Sequence, residues 1–208
     1  MSPATDLPAT DARVRRAERV AVVQALPELA LDWAAIDACP AWVARSEPER
    51  ELLSAHAGAW WLAASLRACI DGKRLTRVCE MLGEPRLNAL RDAPNIARAE
   101  ALGQAPTSLL PSADEMPRHL LACGRALLGW SLPGSVRSPV LAALGWAADE
   151  SHHAIFDAHA DWAQQALDAA LNDAAPLPEP PEPAAPPELD AAAEALSGDQ
   201  SDTADPIA

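Results

Sequence analysis

The 208 residues carry a net charge of −14 and half of them are apolar, which is enough chain for one domain and a tail but marginal for two domains. There are 48 alanines but only 18 valine, isoleucine and threonine residues, with no tyrosine and one phenylalanine, so the composition argues against a β-rich fold and predicts an all-α domain. Residues 1–137 balance 16 acids with 16 bases, whereas 138–208 hold 14 acids and no base, which speaks against nucleic acid or anionic lipid as partners.

Residues 1–9 read as a flexible N-terminus. Thr10 is placed to cap a first helix over 11–25, with Val14, Ala17, Ala21 and Ala25 on one face. Pro27 restarts the chain, and 28–37 reads as a second helix that ends near Cys39 and Pro40. Ser46 and Glu49 form a capping-box pattern around Pro48 and open the strongest helix, 47–71. Along it Leu52, His56, Ala59, Ala63, Leu66 and Ile70 recur at alternating four- and three-residue spacings, a core stripe that Trp60 and Trp61 widen. Such a helix is expected at the centre of its domain. Asp71 and Gly72 read as its stop, with glycine in the left-handed position.

Short helices are expected over 73–82, burying Leu75, Val78, Cys79 and Leu82, and from Pro85 to before Pro94, burying Leu87 and Leu90. A third follows over 96–102, capped by Asn95, and 103–111 is a loop. Ser112 and Glu115 repeat the capping-box pattern ahead of a helix to about Ser131, with Met116, Leu120, Cys123, Leu127 and Trp130 in phase. Pro133 and Gly134 break it. Ser138 and Pro139 open a last helical region, 139–172, interrupted around 149–151. Residues 10–173 thus read as a single compact multi-helix domain. Residues 174–208 hold eight of the 20 prolines, eight acids and no aromatic or basic residue. That composition buries too little apolar surface to offset its ordering entropy, so it reads as a disordered acidic Pro/Ala-rich tail with a transient helix over 188–196.

Chemistry is sparse. Cys39, Cys69, Cys79 and Cys123 lie at least ten residues apart with no metal-ligand spacing, and read as small buried hydrophobes in a reducing compartment. No apolar leader is visible at the start, and the longest nearly apolar run, 57–66, falls short of the roughly 20 residues that span a bilayer. A cytoplasmic protein without direct membrane insertion is expected. Glu150, His153 and Asp157 share one helix face in the Glu-x-x-His spacing of di-metal carboxylate bundles. No other glutamate has a histidine three residues on, so a solvated charged face is the expectation and a metal site the lesser reading. Phosphate-binding loops, Gly-x-Ser-x-Gly and aspartate-rich motifs are missing, and neither an enzyme nor a cofactor is expected.

Two features point to macromolecular contact instead. Arg13, Arg15, Arg16 and Arg19 decorate the first helix, and Arg67, Lys73, Arg74, Arg77, Arg86, Arg91 and Arg98 crowd the middle of the chain. These read either as solvated faces or as a docking surface for an acidic partner or the protein's own tail, with Arg74 and Arg77 the named candidates. Seven tryptophans without tyrosine should mostly fill the core, with Trp42, in a loop, and Trp162, near the tail, as the expected interface anchors.

The stretch 66–75 (LRACIDGKRL), followed by 79–83 (CEMLG) and 87–90 (LNAL), resembles the middle of the YscK/SctK family of type III secretion accessory proteins. Residues 39–42 (CPAW) are similar to that family's N-terminal proline/tryptophan patch, and 124–130 (GRALLGW) through Leu144 to its later glycine-plus-leucine helix, so the likeness spans about 25–146. The resemblance implies an all-helical, non-enzymatic adaptor of the sorting platform. Such an adaptor sits at the cytosolic face of the inner membrane through its partners, an inner-membrane ring protein of SctD type and a pod protein of SctQ type. Two other expectations stand beside it: a helical metal-dependent enzyme using Glu150, His153 and Asp157, and an acidic-tailed chaperone for a basic secreted client.

Overall fold

A computed structural model describes residues 9–27, 33–146 and 150–173. Among the described residues the chain is all-α, with eleven α-helices, short 3-10 segments and no strand. The expected tail over 174–208, residues 1–8 and the first part of the expected second helix, 28–32, lie outside the described residues.

The chain opens with α1 (Ala9–Ala25), α2 (Trp33–Ala38) and the 3-10 turn Ala41–Ala44. The inward face of α1 is set by Val22 and Leu26, not by the expected row of Val14, Ala17, Ala21 and Ala25. Val14 is the same size as Val22 yet half-exposed, so what decides is the neighbours that Val22 and Leu26 meet. These two pack beside Ile36 of α2 and Trp42 and Val43 of the 3-10 turn in the common core. Arg19 ties α1 to α2 by a two-pronged pair with Asp37, at 2.5 and 2.8 Å.

The central helix is α3 (Glu47–Trp61), in which every side chain from Leu53 to Trp61 is buried. Its start is the expected capping box: the Ser46 backbone N–H and hydroxyl both donate to Glu49 Oε2, at 2.8 and 2.6 Å. The helix ends earlier than expected. Leu62 interrupts it, α4 (Ala63–Ala68) follows, and Cys69 is extended with ψ 122. Ile70 therefore leaves the stripe and stands in solvent. Asp71 is a start and not a stop, for its side chain accepts from Lys73 N at 2.9 Å and caps α5 (Gly72–Leu82).

Gly83 takes a φ of +83° between α5 and α6 (Glu84–Asp92), the left-handed region open to glycine. In α5, Val78 and Leu82 are buried, while Leu75 and Cys79 are half-buried. Helix α7 (Pro94–Ala101) begins at its proline with Ala93 at the cap, two residues before the expected Asn95. Ser112 Oγ donates to Glu115 Oε2 at 2.7 Å, but residues 113–115 form a separate turn and α8 (Met116–Trp130) starts after it.

Helix α9 (Gly134–Ala143) starts directly after Pro133, so Pro139 sits inside it and not at its head. The proline ring is exposed, where the lost N–H leaves no buried carbonyl in want of a donor. Arg137 turns back to donate to the carbonyls of Trp130 and Leu132, at 2.9 and 3.0 Å, closing the end of α8. The expected last helical region is split into α9, α10 (Glu150–Ala158) and α11 (Ala160–Asp173).

Helices α8 and α11 pack against α3, and α10 packs against α8. Phe156 of α10 meets Trp61 edge to face, with ring centres 4.7 Å apart at 87°. No described helix is long and apolar enough to cross a membrane.

Candidate partner-binding surface

Core filling explains most large apolar side chains, so those left in water define the surface of interest. Val14 and Val20 are half-exposed, Trp33 is 62% exposed, and Ile70 and Leu109 are each 99% exposed. Scattered single apolar residues are ordinary on a surface, whereas grouped ones mark contact sites. Leu102 and Ile155 are also exposed, at 59% and 48%, and line neither groove; the residues named first fall into two groups.

The first group lies on α1 and the start of α2. At 3.6 residues per turn, Arg13, Arg16, Val20 and Gln24 lie on the side of α1 opposite Val22 and Leu26. Val20, Val23 and Trp33, with Arg16, Arg19 and Gln24, line a groove of about 320 Å³. Arg19 is held by Asp37, but among the described residues no carboxylate pairs with Arg13, Arg15 or Arg16.

The second group flanks the α4–α5 junction. Ile70, Leu109 and Leu110, with Ser65, Cys69 and Arg74, line a groove of about 350 Å³. The expected loop at 103–111 is pinned beside it. Ser65 Oγ donates to Ser108 O at 2.9 Å and accepts from Ser108 N at 3.0 Å, and Arg74 Nε donates to Pro111 O at 2.7 Å. The pinned backbone holds Leu109 out in solvent, so its exposure is built in.

Of the expected anchors, Trp42 and Trp162 are core residues, 3% and 2% exposed, and offer no ring to a partner. Trp42 stacks on Trp146 at 5.7 Å and 6°, and Arg125 covers the Trp146 ring, with Cζ 5.7 Å from its centre. Trp162 Nε1 donates to Trp61 O at 3.1 Å across 101 residues of sequence. Their burial follows from these distant partners, which helical periodicity does not reveal. The expected basic candidates are engaged within the fold. Arg74 holds Pro111 O and lies 3.6 Å from Asp71, while Arg77 pairs with Glu80 at 2.9 Å and Asp114 at 3.7 Å.

Of the Glu150, His153 and Asp157 set, the Glu150 side chain lies outside the described residues. His153 is half-buried, and Asp157 Oδ1 accepts the Trp130 indole N–H at 2.8 Å, which ties α10 to α8. Among the described residues no group of three or more His, Cys, Asp or Glu side chains is placed to hold a metal ion. All four cysteines are free thiols; Cys69 and Cys123 are buried, and partial burial raises the Cys39 thiol above its ordinary value. His119 Nε2 lies 3.6 Å from Cys123 Sγ, and its pKa is lowered by burial and then by the charge of His152.

The apolar residues of both grooves escaped the sequence reading for different reasons. Ile70 sat in phase with a core stripe, and only the helix break at Leu62 and the extended Cys69 release it. Trp33 joins Val20 and Val23 only through the packing of two helices, which no spacing within one helix reveals. The four arginines of α1 were the legible signal. Comparison with known protein families, curated proteins and solved structures finds no match to this chain.

Proposed function

We propose that this protein is a non-enzymatic adaptor that acts through protein–protein contact, as a member of the YscK/SctK type would at a type III secretion sorting platform. The observation that carries the reading is the large apolar side chains kept in solvent at two places, Trp33 with Val20 and Ile70 with Leu109. An adaptor needs two separate contact surfaces, and apolar residues held out by pinned backbone or by the far side of a helix serve that role. The family resemblance over about 25–146 supplies the partners: an inner-membrane ring protein of SctD type and a pod protein of SctQ type.

Crosslinking and co-purification from cells that make the full secretion apparatus test this directly. Capture of a SctD-like or SctQ-like protein, reduced in Ile70→Ser with Leu109→Ser or in Trp33→Ser, is the expected result. Capture of neither by the wild-type chain discards the adaptor. Stoichiometric iron, manganese or zinc, lost on His153→Ala, would replace it with the metal-enzyme reading. Truncation after Asn172 separates the chaperone reading: an adaptor still captures its partner, whereas a tail-dependent chaperone loses its basic client.

A further inference from the structure

We infer that the groove between α1 and Trp33 seats an acidic amphipathic helix of a partner protein. One aliphatic side chain of that helix enters the groove, and its carboxylates meet Arg13 and Arg16. The inference rests on the adaptor reading and names the chemistry of one partner.

A helix that only covers its own core needs a single apolar stripe. Helix α1 has two: Val22 and Leu26 inward, and Val20 outward with Val23 on its flank and Trp33 across the gap. The groove holds about 320 Å³ and is lined by Val20, Val23, Trp33 and the stems of Arg16 and Arg19. A leucine or methionine side chain fits such a space, and tryptophan and arginine are the residues most often found at energetic centres of interfaces. Arg19 is fixed as a wall by its two bonds to Asp37. Arg13 and Arg16 lie on the outward face, and among the described residues no acid pairs with them, so the charge the groove offers is positive. The complement is a helix with aliphatic residues on one side and carboxylates beside them. An anionic bilayer fits less well. Insertion into lipid uses a convex apolar face, whereas this site is concave.

The test uses the full-length protein and a fluorescein-labelled synthetic helix of about five turns with leucines on one face and glutamates on the others. A second peptide replaces each glutamate by lysine. Vesicles of phosphatidylcholine with phosphatidylserine form the lipid arm. The acidic peptide should bind, weaken with salt, and lose about tenfold or more in affinity in Arg13→Glu with Arg16→Glu. Val20→Ser should weaken it as well, and circular dichroism should show unchanged helicity in each variant. The assignment is overturned if the acidic peptide does not bind, if the lysine peptide binds equally well, or if the double variant retains full affinity. It is also overturned if the chain instead sediments with anionic vesicles through Arg13 and Arg16. The double variant also goes through partner capture. If wild type and variant capture the partner equally, the groove assignment falls and the adaptor stands; if wild type captures none, the adaptor falls and the peptide titration judges the groove alone.

Discussion

Gly58 and Gly124 meet where α3 and α8 cross: a Cβ built on Gly124 falls 2.9 Å from the backbone nitrogen of Gly58 and 1.7 Å from the carbonyl oxygen of Ser54. A Cβ on Gly58 falls 2.0 Å from the carbonyl oxygen of Leu120. The two helices touch backbone to backbone, and only hydrogen fits at either position.

Gly124→Ala and Gly58→Ala should each destabilise the fold by about 3 kcal/mol or more, because the obstructing atoms are main chain and cannot rotate away. Gly134→Ala is the control. Nothing lies within 4 Å of its added methyl, so that change should be neutral or mildly stabilising. Urea unfolding of the three variants checks this, and equal midpoints would refute the close crossing.

Trp162 fastens α11 to the central helix by its bond to Trp61 O. Trp162→Phe keeps much of the ring but leaves that buried carbonyl without its donor, at a cost of about 1–3 kcal/mol. Phe156→Ala removes the ring that meets Trp61 edge to face and should cost about 3–5 kcal/mol. Both are read by thermal unfolding. A Trp162→Phe chain as stable as wild type would remove the hydrogen bond from the account.

The capping pairs predict an acid limb. The Ser46 side chain, then its backbone N–H, hold Glu49 below the ordinary carboxylate value of 4.5, and Ser112 does the same for Glu115. A carboxylate whose folded pKa is depressed contributes stability above its unfolded value and loses it as pH falls through the folded one. Unfolding stability should therefore decline below about pH 4.5, and Ser46→Ala with Ser112→Ala should flatten that decline. Carboxyl NMR titrations that show both glutamates at ordinary values would contradict it.

His119 acts in a higher window. Burial, and then the positive charge of His152, lower its pKa below 6.5. The unfolded chain thus takes up the proton first, so this contribution is complete above about pH 6.5 and is lost as pH falls through the folded value. His119→Gln should reduce the slope of stability against pH just below 6.5. Denaturant unfolding at several pH values measures it, and an unchanged slope in the variant would exclude His119 as the source.

How far the fold was legible depends on the distance over which each feature is determined. The all-α class, the capping box at Ser46 and Glu49 and the end of the expected 73–82 helix at Leu82 rest on residues close along the chain, and the structure has all three. Reading failed where a competing local partner existed. Asp71 followed by Gly72 reads as a helix stop, yet the carboxylate's bond to Lys73 N makes it a start. The basic face of α1 was visible as four arginines, but the apolar half of that site, Val20 with Trp33, joins residues from two helices.

By itself, then, the sequence determined helix type, most helix ends and the charge of each face, since propensity, capping and side-chain spacing act through near neighbours along the chain. The tertiary structure alone decided that Trp42 and Trp162 are buried while Ile70 and Leu109 are not. It also placed the closest approach of α3 and α8 at Gly58 and Gly124. Burial is conferred by atoms that arrive from elsewhere: Trp42 is covered by Trp146, and Trp162 finds its acceptor 101 residues away. No repeat along one helix encodes which distant surface will come to lie against it.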